Sequence, residues 1–268
     1  MSGRSLLAIP AAVAVAYLVA SALIRGEDAQ RWFFAVDPEL LKLAAAGGCL
    51  TAASRYRRGE YLGVAWLLLG LDYSLLFLKD LLFGRVLNLA SMTEATNGTL
   101  RAIVDSVANG LAAVSSVMMA RAWSVAGIAL PGSRRSQRLL LGLAITVAVA
   151  IVGWGTLNQL PGLRAGNREV IASVISSVGD IVCFSVIAPL LLTAIAMRGG
   201  ALAWPWALLT ASNFAWLLYD VAWSFQPQWH LEPTTLRTIA ELWRAVACAL
   251  VLAAGLAQRW TVRSFARS

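Results

Sequence analysis

Long apolar runs separated by short polar stretches recur along the whole chain. A helix rises about 1.5 Å per residue, so about 20 residues cross a hydrocarbon core about 30 Å thick. Eight runs have that character, at approximately 5–24, 39–57, 61–83, 99–121, 138–158, 170–197, 202–224 and 236–258. Backbone polar groups in lipid must be satisfied within the segment, and the alternation of a barrel strand is missing, so the runs predict helices. The connections between them are too short for an ordinary soluble domain. The fold class expected is all-α, a polytopic membrane bundle of eight transmembrane helices.

Composition agrees with this pattern. Of 268 residues, 59% are hydrophobic and 13% charged, against roughly 45–50% apolar in soluble domains. The net charge of +8 raises nucleic acid as a partner, but the placement of the arginines speaks against it. With the N-terminus inside, inner loops and tails hold Arg4, Arg55, Arg57, Arg58, Arg121, Arg134, Arg135, Arg138, Arg198, Arg259, Arg263 and Arg267, with Glu60 as their one acid. Glu27, Asp28, Asp37, Glu39, Glu94, Glu169 and Glu232 fall outside. That bias predicts cytoplasmic termini in a bacterial-type plasma membrane. The partners expected are membrane lipids and a lipophilic small molecule, with no nucleic acid; nothing fixes the oligomeric state.

The first run, after Arg4, imitates a cleavable signal peptide. An internal repeat argues that it is retained. Arg4 to Ala16 matches Arg138 to Ala150 at a shift of 134. At a shift of 140, Arg58, Gly59, Leu62, Trp66 and Asp80 fall on Arg198, Gly199, Leu202, Trp206 and Asp220. At 136, Thr99 to Asp105 falls on Thr235 to Glu241. Three matches in the same order predict two parallel four-helix repeats, 1–130 and 131–268, with a site at their interface.

Ionisable groups within spans are costly and functional by default. They are Lys42, Asp72, Lys79, Asp80, Asp105, Asp180, Asp220, Glu241 and Arg244. Asp80 with Asp220, and Asp105 with Glu241, are repeat-related pairs in the outer half, which predicts a polar cavity opening outward. Asp72 and Asp180 fall near mid-membrane. The structural alternative is that these groups pair off: Glu241 with Arg244 at i, i+3, and Lys42 or Lys79 with Asp80 or Asp105. Asp220 has no lysine or arginine on its own helix. It shares a face with Asn213 and Trp216, with Tyr219 beside it. Catalytic and structural readings of it stay balanced.

Of eleven tryptophans, Trp32, Trp123, Trp204, Trp229 and Trp260 fit an interfacial belt. Trp216 and Trp243 lie deeper, in register with Asp220 and Glu241, where an aromatic face would stabilise positive charge. Ordinary helix packing is the alternative. Cys49, Cys183 and Cys248 lie inside spans with no CxxC and read as packing residues, not as metal ligands. The single histidine, His230, falls in a loop, which excludes histidine-rich metal sites and Ser-His-Asp triads. With neither a P-loop nor a GxGxxG unit, no cofactor and no metal are expected. Asn97-Gly98-Thr99 fits a glycosylation sequon, meaningful only in a secretory pathway.

The segment Asn213-Phe214-Ala215-Trp216-Leu217-Leu218-Tyr219-Asp220 resembles the Asn-x-Ala-Trp-x-x-x-Tyr helix of the small integral-membrane terpene cyclases of meroterpenoid and indole-terpene pathways. The likeness covers one helix. That family has a Glu directly after the Trp, where this chain has Leu217 and carries its acid at Asp220. A second likeness, of Ser177-Val178-Gly179-Asp180 and Leu218-Tyr219-Asp220, is to the eight-helix lysoplasmalogenase-like family. Both resemblances imply acid chemistry on a lipophilic substrate. The expected enzyme protonates an alkene, epoxide or vinyl ether through Asp220, with Glu241, Asp105 or Asp80 assisting. Asn213, Trp216, Tyr219, Trp243, Asp72 and Asp180 would contact substrate. A proton-coupled carrier is the rival, weakened because Pro10, Pro189 and Pro205 do not fall at equivalent repeat positions. A sensor or accessory subunit would need a partner for its output.

Overall fold

A computed structural model describes residues 3–84, 94–157, 160–166, 168–198, 200, 203–224 and 231–265. His230 and Trp229, and Gly199 and Leu202 of the repeat, lie outside them. The described residues form helices α1 (Gly3–Leu23), α2 (Glu27–Ala53), α3 (Tyr61–Phe83), α4 (Glu94–Ala120), α5 (Ala122–Val125), α6 (Arg134–Leu157), α7 (Leu160–Arg164), α8 (Arg168–Ser185), α9 (Ile187–Ala196), α10 (Ala203–Ser224) and α11 (Pro233–Phe265). The all-α class expected from the apolar runs is what the fold shows.

Two elements differ from the expected spans. α2 starts at Glu27, well before the apolar run, because Glu27 and Asp28 supply the acidic first turn that favours a helix N-terminus and Pro38 is absorbed within the helix. The run at 170–197 is broken at Val186 between α8 and α9. Pro189 lacks an N–H and clashes one turn back, at Ser185, which is where α8 ends.

Among the described residues, six segments are long and apolar enough to cross a membrane: Ser5–Leu23, Tyr61–Phe83, Gly98–Ala120, Arg134–Leu157, Val174–Ala196 and Pro233–Val262. α2 and α10 fall short by composition. α2 carries Asp37, Glu39 and Lys42, and α10 carries Asn213, Tyr219 and Asp220, all turned to the interior. Large apolar side chains lie bare on the outside, among them Val15, Val19 and Leu23 on α1 and Leu139, Leu143 and Val149 on α6. Such an apolar exterior suits lipid and is foreign to a monomer in water.

α2, α3, α4, the α8–α9 pair, α10 and α11 form a closed ring in which each packs on the next and α11 returns to α2. The order α2–α3–α4 in one half is matched by α8/α9–α10–α11 in the other. α1 and α6 stand outside the ring and break this match, α1 against α11 and α6 against α8, α9 and α10. A close approach joins α2 and α11. A Cβ at Gly255 of α11 would sit 2.4 Å from the backbone C and O of Gly48 on α2, so only glycine permits the crossing. Buried hydrogen bonds bind other neighbours: Ser115 Oγ donates to Ala65 O at 2.8 Å, Ser212 Oγ to Ala247 O at 3.0 Å, and Trp206 Nε1 to Met119 O at 3.1 Å.

Candidate functional site in the helix ring

The ring encloses a cavity of about 290 Å³ lined from α2, α3, α4, α8, α9, α10 and α11. Its lining residues recur at helical spacing: Leu69, Asp72, Leu76 and Lys79 on α3; Asp105, Asn109, Ala112 and Ser116 on α4; Leu209, Ser212, Asn213 and Trp216 on α10. Spacings of three and four put each set on one face, so the three helices turn polar stripes toward a common centre. Leu190 of α9 and Val251 of α11 add apolar wall.

Of the ten residues singled out from the sequence, Asp72, Asp80, Asp105, Asp180, Asn213, Trp216, Tyr219 and Asp220 line this cavity. Carboxyls from both halves of the chain therefore meet in one space. Glu241 and Trp243 do not line it. Glu241 is buried and ion-paired with Arg244, its neighbour at i, i+3, and Trp243 packs against the main apolar core.

The carboxyls sort into two groups. Asp80 and Asp105 belong to an ion-pair network across α2, α3 and α4. Lys42 Nζ donates to Asp80 Oδ2 at 2.5 Å and to Glu39 Oε1 at 2.8 Å. Lys79 Nζ lies 2.6 Å from Asp105 Oδ1 and 3.3 Å from Asp80 Oδ1, and Arg101 reaches Asp80 at 3.2 Å. A buried carboxylate needs such partners, since isolated charge is expensive away from water.

Asp72, Asp180 and Asp220 have no cation within ion-pair distance among the described residues. Asp180 Oδ1 accepts from Asn109 Nδ2 at 3.1 Å, and the same amide donates to Ser176 Oγ. Asp72 is 3% exposed, and its Oδ1 is buried without a hydrogen-bond partner. Asp220 makes no hydrogen bond or ion pair among the described residues, and it is close enough to Asp180 for their charges to interact.

Aromatic groups complete the wall. Trp216 Nε1 donates to Tyr73 Oη at 2.9 Å, tying α10 to α3 across the cavity. Trp216 meets Tyr219 edge to face at 5.5 Å. The Arg244 guanidinium lies 5.7 Å from the Tyr219 ring centre, so that face already holds a cation. The indole of Trp216 has no such occupant among the described residues.

Sequence reasoning passed over Asn109, Ser116, Tyr73 and Cys183 as cavity residues. Asp105, Asn109 and Ser116 repeat at four and seven along α4, a polar stripe within an apolar run, and that signal was available. Cys183 carried none, because a thiol in a span reads as packing. Among the described residues, no cluster of histidine, cysteine and carboxyl side chains is arranged to hold a metal ion. Comparison with protein families, characterised proteins and solved structures finds no match to the chain.

Proposed function

We propose that the chain is an eight-span membrane protein, with both termini cytoplasmic, whose cavity is the site of an intramembrane acid catalyst for a lipophilic substrate. The reading extends the six apolar candidate spans by α2 and α10, of which Lys42 on α2 and Ser212, Asn213, Tyr219 and Asp220 on α10 line the cavity. One observation carries it: Asp220 lines the cavity with no ion pair among the described residues, beside Asp180 and the aromatic pair Trp216 and Tyr219. A carboxyl locked to a lysine cannot deliver its proton cheaply, which removes Asp80 and Asp105 from that role and leaves them as scaffold. Glu241, held by Arg244, is scaffold too.

In this scheme Asp220 transfers a proton to a carbon–carbon double bond, an epoxide oxygen or the β-carbon of a vinyl ether. The π pair of the alkene or vinyl ether takes the proton directly; in the epoxide an oxygen lone pair takes it and the C–O bond then breaks with its pair going to oxygen, and either course leaves a carbocation or oxocarbenium ion. The Trp216 face stabilises that charge. An alkene-derived or epoxide-derived cation closes on a second double bond and loses a proton to the Asp180 carboxylate, which passes it back to the neighbouring Asp220, so the acid is restored and the product is an isomer of the substrate. An oxocarbenium ion instead takes up water and separates into aldehyde and alcohol. Proton transfer by a positioned carboxyl supplies about 10²- to 10⁴-fold of rate.

The test is product formation from prenylated substrates by the purified chain in detergent or nanodiscs. Asp220→Asn keeps the volume and removes the transferable proton, and it should abolish turnover with unfolding unchanged. Turnover persisting in that variant would exclude Asp220 as the acid.

The matched neighbour order around the ring favours a second reading, a proton-coupled carrier with its site between two parallel repeats. It requires uptake into proteoliposomes that responds to a pH gradient; the catalyst requires a changed product.

A further inference from the structure

Among the described residues, the charges around the cavity do not balance. Seven carboxyls (Asp72, Asp80, Asp105, Asp180 and Asp220, with Glu39 and Glu241 attached through their pairs) face four cations, Lys42, Lys79, Arg101 and Arg244. Every one of the cations is already engaged. The surplus is the trio Asp72, Asp180 and Asp220. Such a surplus in an enclosed space is met by protons or by a positive charge brought in with a ligand.

Asp72 is the most buried of the three. It comes from mid-helix in α3, lines the cavity, and is 3% exposed. Its Oδ1 is fully buried with no donor from the surrounding protein. Asp180, by contrast, has the Asn109 amide. Across the space stands Trp216, fixed by its bond to Tyr73, the residue next to Asp72, so the indole is held in place. A buried carboxyl lining the same cavity as an aromatic ring whose neighbour Tyr219 already holds the Arg244 guanidinium is the chemistry of an ammonium receptor. Leu69, Leu76, Met119 and Leu209 supply apolar stretches of wall between the polar groups.

We infer that the cavity binds a lipophilic organic cation, its positive centre between the Asp72 carboxylate and the Trp216 face and its hydrocarbon part along the leucine wall. This deepens the acid-catalysis reading, on which its chemical use rests: the same receptor would hold the positive charge that forms once Asp220 has given its proton.

The experiment compares two probes of equal shape on the full-length protein in nanodiscs, hexyltrimethylammonium and its uncharged carbon isostere 2,2-dimethyloctane. Affinity is read from Trp fluorescence, with Trp216→Phe identifying the reporting residue, and repeated in empty nanodiscs to subtract partition into lipid. The ammonium should bind at least about tenfold tighter than the isostere. Asp72→Asn should abolish that preference, leaving the isostere's affinity unchanged, while Asp72→Glu should retain part of it. Equal affinity of the two probes for the native chain, or an undiminished preference in a folded Asp72→Asn variant, overturns the inference. The native-chain comparison needs no variant, so misfolding of Asp72→Asn cannot shelter it. The Asp220→Asn turnover test stands apart. Lost turnover with no ammonium preference fells the receptor alone, and a preserved preference with undiminished turnover in that variant fells the acid alone.

Discussion

Lys42 is the residue on which the buried charge network turns, and replacing it by Met is a quantitative test of that network. Its ammonium is 2.8 Å from Glu39 and 2.5 Å from Asp80, with its side chain only 3% exposed. The two acids would not suffer equally. Asp80 would keep Lys79 at 3.3 Å and Arg101 at 3.2 Å. Glu39 would keep nothing in ion-pair range, because Lys42 is its one cation among the described residues and its Oε2 already has no partner. Removing one member of a buried pair costs about 3–5 kcal/mol, most of it the penalty of the charge left behind. Arg244 remains near enough to Glu39 to offset part of this, so the loss should fall at the lower end, about 3 kcal/mol. The stranded charge is the cause, so neutralising it should cure the defect. Lys42→Met with Glu39→Gln should recover to within about 1–2 kcal/mol of the native chain. Reversible unfolding of all variants by sodium dodecyl sulfate in mixed micelles, followed by circular dichroism, gives the comparison. A single variant losing under about 1 kcal/mol, or a double variant no more stable than the single, would refute the account of Glu39.

The helix crossing makes a sharper mechanical prediction. Gly255→Ala places a methyl 2.4 Å from the Gly48 backbone and should cost about 3 kcal/mol or more. Gly47→Ala meets nothing within 4 Å and should stabilise by about 0.5–1 kcal/mol; equal effects in the same unfolding assay would count against the α2–α11 contact. Trp216→Phe keeps the ring face and loses the donor to Tyr73, so it should cost about 1 kcal/mol of stability and raise the KM of any substrate more than it lowers kcat. An impermeant maleimide should label single cysteines at Asp28 and Ser54, both exposed, from opposite sides of the membrane, Ser54 from the cytoplasm. Labelling of both from one side would refute the assigned span between them.

The parts of the fold that rest on one-dimensional periodicity were readable, and the parts that rest on meetings between helices were not. α3, α4 and α6 follow the apolar runs because length and hydropathy alone specify such helices. The early start of α2 was hidden because Pro38 reads as a boundary, yet Pro38 lies fully buried inside that helix. The pairing of Glu241 with Arg244 is local, at i, i+3, and so was readable as one alternative. Lys42 with Asp80 spans 38 residues, and no spacing rule along a helix reports such a distance.

Asp80 and Asp220 show the same limit within the matched stripes themselves. At the shift of 140 they occupy one position, near the end of α3 and of α10. Their environments are opposite, because the neighbour of Asp80 in the chain is Lys79 and that of Asp220 is Tyr219, and because α2 brings Lys42 to the first while α8 brings Asp180 to the second. The same backbone position thus holds a neutralised carboxylate in one half and an uncompensated one in the other. Unequal chemistry at these two positions gives the cavity a direction, from the ion-paired flank at α2, α3 and α4 to the acidic flank at α8 and α10. On the proposed reading, a substrate would meet fixed salt bridges on one side and the acid on the other, the asymmetry that general acid catalysis requires.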